Sequence, residues 1–116
     1  MSKRGIGNYG EQVAYTYLKT QGYKIFDRNW YCQGGEIDII CFKDQLVFVE
    51  VKYVNGDFCT PYDQMTYKKI QKLLRAIRNY LNMYPKYISN WRLDLIAIQR
   101  INGENDLTHH KSINLM

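Results

Sequence analysis

Glu50 and Lys52 stand two residues apart inside the run LVFVEVKYV at 46–54. Leu46, Val47, Phe48, Val49, Val51 and Val54 have the β-branched and aromatic character of a strand covered on both faces. A lone charge there costs several kcal/mol of desolvation unless it is paired, binds a metal or faces a cleft. Residues two apart in a strand share a face at roughly 7 Å, so this carboxylate and this ammonium line one wall. Upstream, Glu36 and Asp38 likewise share a face of EIDIICF at 36–42. A hairpin turning near Asp44 makes the two strands neighbours, with Asp38 six residues before the turn and Glu50 six after it. The two carboxylates are then cross-strand neighbours, close enough to raise each other's pKa or to share a cation. Mg²⁺ needs only one or two protein carboxylates and completes its shell with water and phosphate oxygens. An adjacent ammonium can orient a water or neutralise charge growing on a phosphate. Asp38, Glu50 and Lys52 therefore have the parts of a metal-dependent phosphodiesterase. An internal salt bridge of Lys52 with Asp38 or Glu50 is the competing reading of the same residues.

The elements that must hold these groups are legible as a pattern. Val13, Ala14, Tyr17 and Leu18 recur at helical spacing, giving a first helix over about 9–20 that ends at Gly22 as its C′ residue. KIFDRNW at 24–30 reads as a strand, Gly34 and Gly35 as a turn, EIDIICF as the next strand, and Lys43-Asp44 as the hairpin turn into LVFVEVKYV. A loop carrying Gly56 and Pro61 leads to a second helix over about 62–83, stopped by Pro85, and WRLDLIAIQ at 91–99 is a further strand. From Asn102 onward the signals are weak; an added edge strand is the most the tail offers. On the second helix Ile70, Leu73, Leu74, Ile77, Tyr80, Leu81 and Tyr84 form an apolar face. Lys68, Lys72 and Arg75 gather on the opposite side, with Lys69 between. That cationic side is either a solvated back or a surface along a phosphate backbone.

Composition sets the outer bounds. The 116 residues, 46% hydrophobic and 15% aromatic, fit one domain over 1–116 with one core and no linker, repeat or low-complexity segment. No apolar run approaches a membrane span, and the opening MSKRGIGNYGEQ has no apolar leader core, so a soluble cytoplasmic chain without a membrane partner is expected. Cys32, Cys41 and Cys59 lack CxxC spacing and are expected as reduced, packed thiols. The net charge of +5 favours a polyanionic partner. His109 and His110 are expected in solvent, because adjacent histidines seldom chelate one metal.

Asp38, then Glu50-Val51-Lys52 after a hydrophobic run, resembles the PD-(D/E)xK motif of the restriction-endonuclease-like fold. GNYGEQVAYTYLKTQGYKIFDRNW, GEIDII, VFVEVK, Lys69 with Lys72, and RLD at 92–94 together resemble the YraN-like family of uncharacterised bacterial proteins over about residues 5–98. Archaeal Holliday-junction resolvases share the layout, with a first-helix glutamate that here falls on Glu11. The resemblance implies an α/β domain with a central mixed sheet of four or five strands flanked by helices. It also implies Asp38 and Glu50 as metal ligands, Lys52 as the catalytic lysine and Glu11 as a further acidic group near the metal or its water. This chain departs from the family in having Tyr53 and Val54 after the motif lysine, and Gln33 and Gly34 before GEID, where basic or small polar residues are common. Most of the eleven tyrosines read as core or rim, but Tyr9 and Tyr53 adjoin proposed site residues.

The function expected from these readings is a Mg²⁺- or Mn²⁺-dependent nuclease acting on branched or structured DNA. The alternatives are a binding module of the same fold without efficient catalysis and a protein-interaction domain whose charged cluster is structural. The expected partner is nucleic acid, DNA before RNA, through Lys68, Lys69, Lys72 and Arg75; a homodimer is left open.

Overall fold

The structure, a computed structural model, describes residues 8–114; residues 1–7, which carry most of the N-terminal stretch read for a leader, and 115–116 lie outside the described residues. In chain order the elements are α1 (Asn8–Thr20), β1 (Lys24–Cys32), β2 (Gly35–Phe42), β3 (Leu46–Asn55), a 3₁₀ turn (Pro61–Gln64), α2 (Tyr67–Met83), a second 3₁₀ turn (Pro85–Tyr87), β4 (Trp91–Ile101) and β5 (Glu104–His110). The strands form one sheet in sequence order. Only β3 and β4 run parallel; the other neighbours are antiparallel. A parallel pair needs a long crossover, and α2 supplies it. This five-stranded mixed sheet flanked by helices is the restriction-endonuclease-like architecture the resemblance implies.

Both faces of the sheet are covered, which accounts for the unbroken apolar run in β3. Val47, Val49 and Val51 pack with Ala14 and Leu18 of α1, whereas Leu46 and Phe48 pack with Leu73, Ala76 and Ile77 of α2. One core was expected; the sheet divides it into two. α1 ends as its sequence suggests: Gly22 sits at φ +93°, and the amides of Gly22 and Tyr23 return to the carbonyls of Lys19 and Leu18 at 3.1 and 3.0 Å. Among the described residues no helix is long and apolar enough to cross a membrane.

Two expectations are corrected, on the second helix and the cysteines, and the edge strand offered by the tail is present. The second helix does not start at 62: Pro61 opens a separate 3₁₀ turn, where the Thr60 amide donates to the Asp63 carboxylate, and Thr66 then caps α2 by accepting from the Lys69 amide. The tail is a well-paired edge strand, because Asn102 and Gly103 both take positive φ and make the two-residue turn that joins β4 to β5. All three cysteines are thiols, but only Cys41 is buried; Cys59, on the loop after β3, is exposed. Burial, with Asp94 nearby, pushes the Cys41 thiol up to about 12.

Candidate active site

The hairpin register fixes the centre of the site. β2 and β3 pair from Phe42↔Leu46 to Ile39↔Val49, and the next pair in that register would be Asp38 and Glu50. The ladder stops there. In its place an Asp38 carboxylate oxygen accepts the Val51 amide at 2.8 Å, so the aspartate takes up a backbone donor that the parting strands would otherwise leave buried. β3 continues beside β4, with Glu50↔Leu95 and Lys52↔Ala97, so the opening lies only on the β2 side.

A cleft of about 800 Å³ occupies that opening. Asp38, Glu50 and Lys52 line it, joined by Glu36 from β2 and Glu11 from α1. Glu11, Asp38 and Lys52 are buried and Glu50 is half-buried. Lys52 Nζ lies 3.0 Å from a Glu50 carboxylate oxygen. Glu11 is held by the Asn29 side-chain amide at 2.9 Å; Asn29 sits in β1 at φ +50°, a left-handed conformation that asparagine tolerates and that few other side chains adopt. Burial pushes the Asp38 carboxyl well up, the nearby Glu50 charge adds to this, and Glu11 and Glu36 contribute further; the Val51 amide opposes them. Four carboxyl groups and the Lys52 ammonium thus line the same cleft.

The opposite wall comes from α2 and its lead-in, through Gln64, Lys69, Lys72 and Leu73. Gly35 lets this wall approach: a Cβ there would collide with the Lys72 carbonyl oxygen and press on the Ala76 methyl. Arg75 reaches the cleft's edge, where its guanidinium donates to the Gly34 carbonyl at 3.1 Å. It thus brings a cation beside the GEID segment, where Gln33 and Gly34 supply none. Lys68 is exposed and is not among the residues lining the cleft. The structure thus brings together Glu11, Asp38, Glu50, Lys52, Lys69 and Lys72, sets Arg75 at the border and leaves Lys68 outside.

Asp38 and Glu50 offer oxygen donors, and among the described residues no His, Cys or Met lines the cleft with them, a set suited to Mg²⁺ or Mn²⁺. Among the described residues no three His, Cys, Asp or Glu side chains form a ready-made metal shell. A zinc site would need such a closed shell, whereas Mg²⁺ keeps several waters.

A second polar cluster lies between α1, β4 and β5. Asp94 is fully buried and accepts from Arg92 Nε at 2.9 Å and from the Ser112 amide at 3.0 Å. His109 Nε2 is 2.8 Å from the same carboxylate, and its Nδ1 is 2.8 Å from the Tyr17 hydroxyl. The expectation that His109 is solvent-exposed is therefore overturned: its side chain is 5% exposed and ties the edge strand to the core. His110 meets the Tyr62 hydroxyl at 2.7 Å. RLD at 92–94 acquires a physical role here, since Arg92 also donates to the Tyr23 hydroxyl at 2.8 Å. Asn29 is the residue that sequence reasoning missed, and His109 the one it misplaced. Asn29 carried no signal beyond its type, while the Asn102-Gly103 turn was a signal that the tail pairs back.

The sequence matches the family described as uncharacterised protein family UPF0102 over residues 10–98, a span that contains GEIDII, VFVEVK and RLD. A UPF0102 protein of Alkaliphilus oremlandii is 42% identical over 113 residues, covering 94% of this chain and 96% of that protein. UPF0102 proteins of Flavobacterium johnsoniae and Syntrophomonas wolfei are 39% and 36% identical, over 90% and 91% of this chain and 89% and 94% of their own lengths. With β1 to β3 and most of β4 inside that match, the chain belongs to the uncharacterised protein family UPF0102.

Proposed function

We propose that this protein is a Mg²⁺- or Mn²⁺-dependent nuclease that hydrolyses phosphodiester bonds in branched or otherwise structured DNA. One observation carries the reading: buried Glu11 and Asp38 and half-buried Glu50 line one cleft with a buried ammonium, Lys52, where β2 and β3 part, and Lys69 and Lys72 line the same cleft. The Lys52–Glu50 ion pair alone is what a structural network would contain. Asp38 and Glu11 are satisfied by the Val51 amide and by Asn29, yet setting them beside Glu50 in a poorly solvated site raises the Asp38 pKa, a cost that a purely structural network would avoid. Asp38 and Glu50 would hold a divalent cation, which would offset that cost and supply an activated water and a Lewis acid. Lys52, paired with Glu50, would stabilise charge developing on the phosphoryl oxygens. Glu11, held by Asn29, would orient the attacking water. Lys69 and Lys72 hold the flanking backbone phosphates.

The test is an assay across linear duplex, flapped, single-stranded and four-way DNA with Mg²⁺, Mn²⁺ or chelator. Cleavage only with divalent metal, and fastest on a branched or flapped substrate, is the expected result. Salt-dependent binding without cleavage in any metal would instead leave a binding module.

A further inference from the structure

Tyr53 is part of the cleft that the chemistry above does not use. It follows Lys52 on β3, and alternation along a strand sends consecutive side chains to opposite faces. Lys52 belongs to the face that α2 covers; the Tyr53 ring packs on the α1 side and still lines the cleft near Glu11. The ring is braced. An added Cβ on Gly10 would come within 2.6 Å of Tyr53 Cβ, so α1 presses directly on this residue. Tyr9 stands edge-on with its centroid 5.2 Å away, and the Tyr9 hydroxyl accepts from Arg100 and Asn105 at 2.7 and 2.9 Å. Four elements thus fix one aromatic side chain beside the carboxylates.

The cleft therefore has two unlike walls: ammonium groups of Lys69 and Lys72 on one side, a fixed aromatic ring on the other. A nucleotide has the same two halves, an anionic phosphate and a flat π-surface. In a continuous duplex the base is stacked and paired, and turning it outward costs a few kcal/mol; a displaced or single-stranded nucleotide is spared most of that cost. We propose that Tyr53, braced by Tyr9, stacks on an unpaired base adjoining the phosphate held over the carboxylates, so that the cleft selects nucleic acid with a displaced nucleotide over continuous duplex. The proposal rests on reading the cleft as a nucleic-acid site, but not on catalysis.

The experiment is binding in chelator at low salt, where no cleavage occurs, to duplex DNA and to the same DNA with one unpaired 2-aminopurine. The wild type should bind the second DNA more tightly and quench its emission by stacking. Tyr53→Leu keeps bulk against Gly10 but removes the π-face. It should lose at least about fivefold in affinity for the unpaired substrate, together with the quench, and leave duplex affinity unchanged. Tyr53→Phe should restore both. Equal wild-type affinity for the two DNAs without quenching, or full quenching by Tyr53→Leu, overturns the proposal. The wild-type comparison decides the matter even if the leucine variant misfolds. Cleavage without quenching would overturn the stacking role alone, and quenching without cleavage the nuclease reading alone.

Discussion

Asp38 and Asp94 are both buried, and their surroundings push them in opposite directions. Burial raises both, but Asp38 also faces Glu50, Glu11 and Glu36, whereas hydrogen bonds from His109, Arg92 and the Ser112 amide outweigh burial at Asp94 and hold its carboxyl below the usual carboxylate range. Without metal, the raised Asp38 carboxyl therefore lowers stability as pH rises above its unfolded value, near 3.9. Asp38→Asn should leave stability in chelator unchanged or raised, since asparagine still offers Val51 an oxygen. Mn²⁺ at ten times its dissociation constant should stabilise the wild type by about 1.4 kcal/mol, or about 5 °C in a thermal melt, and the variant should lose most of this shift. At Asp94 the sign reverses. A carboxyl whose folded pKa is depressed contributes stability that is complete above its unfolded value, near 3.9, and is lost as pH falls through the folded value. Asp94→Asn should cost about 3 kcal/mol at pH 7, because Arg92 is left with less of its partner, and should flatten the loss of stability below about pH 4 in urea melts.

At the scale of elements, α2 carries the cationic wall and Gly35 sets its distance from β2. Gly35→Ala should destabilise the fold by about 2 kcal/mol in denaturant titrations and weaken nucleic-acid binding, because α2 must move to admit a methyl group at Lys72. Replacing Lys69 and Lys72 with alanine should weaken binding alike across sequences and reduce the log–log salt slope by about 2, since each phosphate contact releases close to one counterion. Lys68→Ala, outside the cleft, should leave that slope unchanged. The helix was legible from its apolar spacing, and Leu73, Ile77, Tyr80 and Leu81 are buried as that spacing requires. Its start was misread because Pro61, a strong helix-opening residue, governs a separate turn; the cap that matters is Thr66. The β2–β3 register was legible because the turn near Asp44 is short and the side-chain period of a strand is two, which puts Asp38 opposite Glu50 by counting alone.

At the scale of the molecule, what the sequence hides is what closes over long distances. Tyr17 and His109 meet across 92 residues of chain, and no local pattern brings a first-helix tyrosine to the last strand. The same holds for Asn29 and Glu11, paired across 18 residues through a left-handed strand residue. Local period and turn chemistry give the hairpin, the helices and the paired carboxylates; the closure of α1 over the sheet decides which further groups join them. The net charge of +5 is in keeping with a polyanionic partner, while the carboxylates concentrate negative charge in one cleft of an otherwise cationic chain. Lys52, the buried ammonium among those carboxylates, is the residue on which the proposed chemistry depends most directly. The decisive measurement is cleavage of flapped and four-way DNA in Mn²⁺ by purified wild type and Lys52→Ala, with the Mn²⁺ thermal shift recorded for both. An ammonium is not a metal ligand, so the variant should keep the shift and lose cleavage. Undiminished cleavage by folded Lys52→Ala would contradict the account.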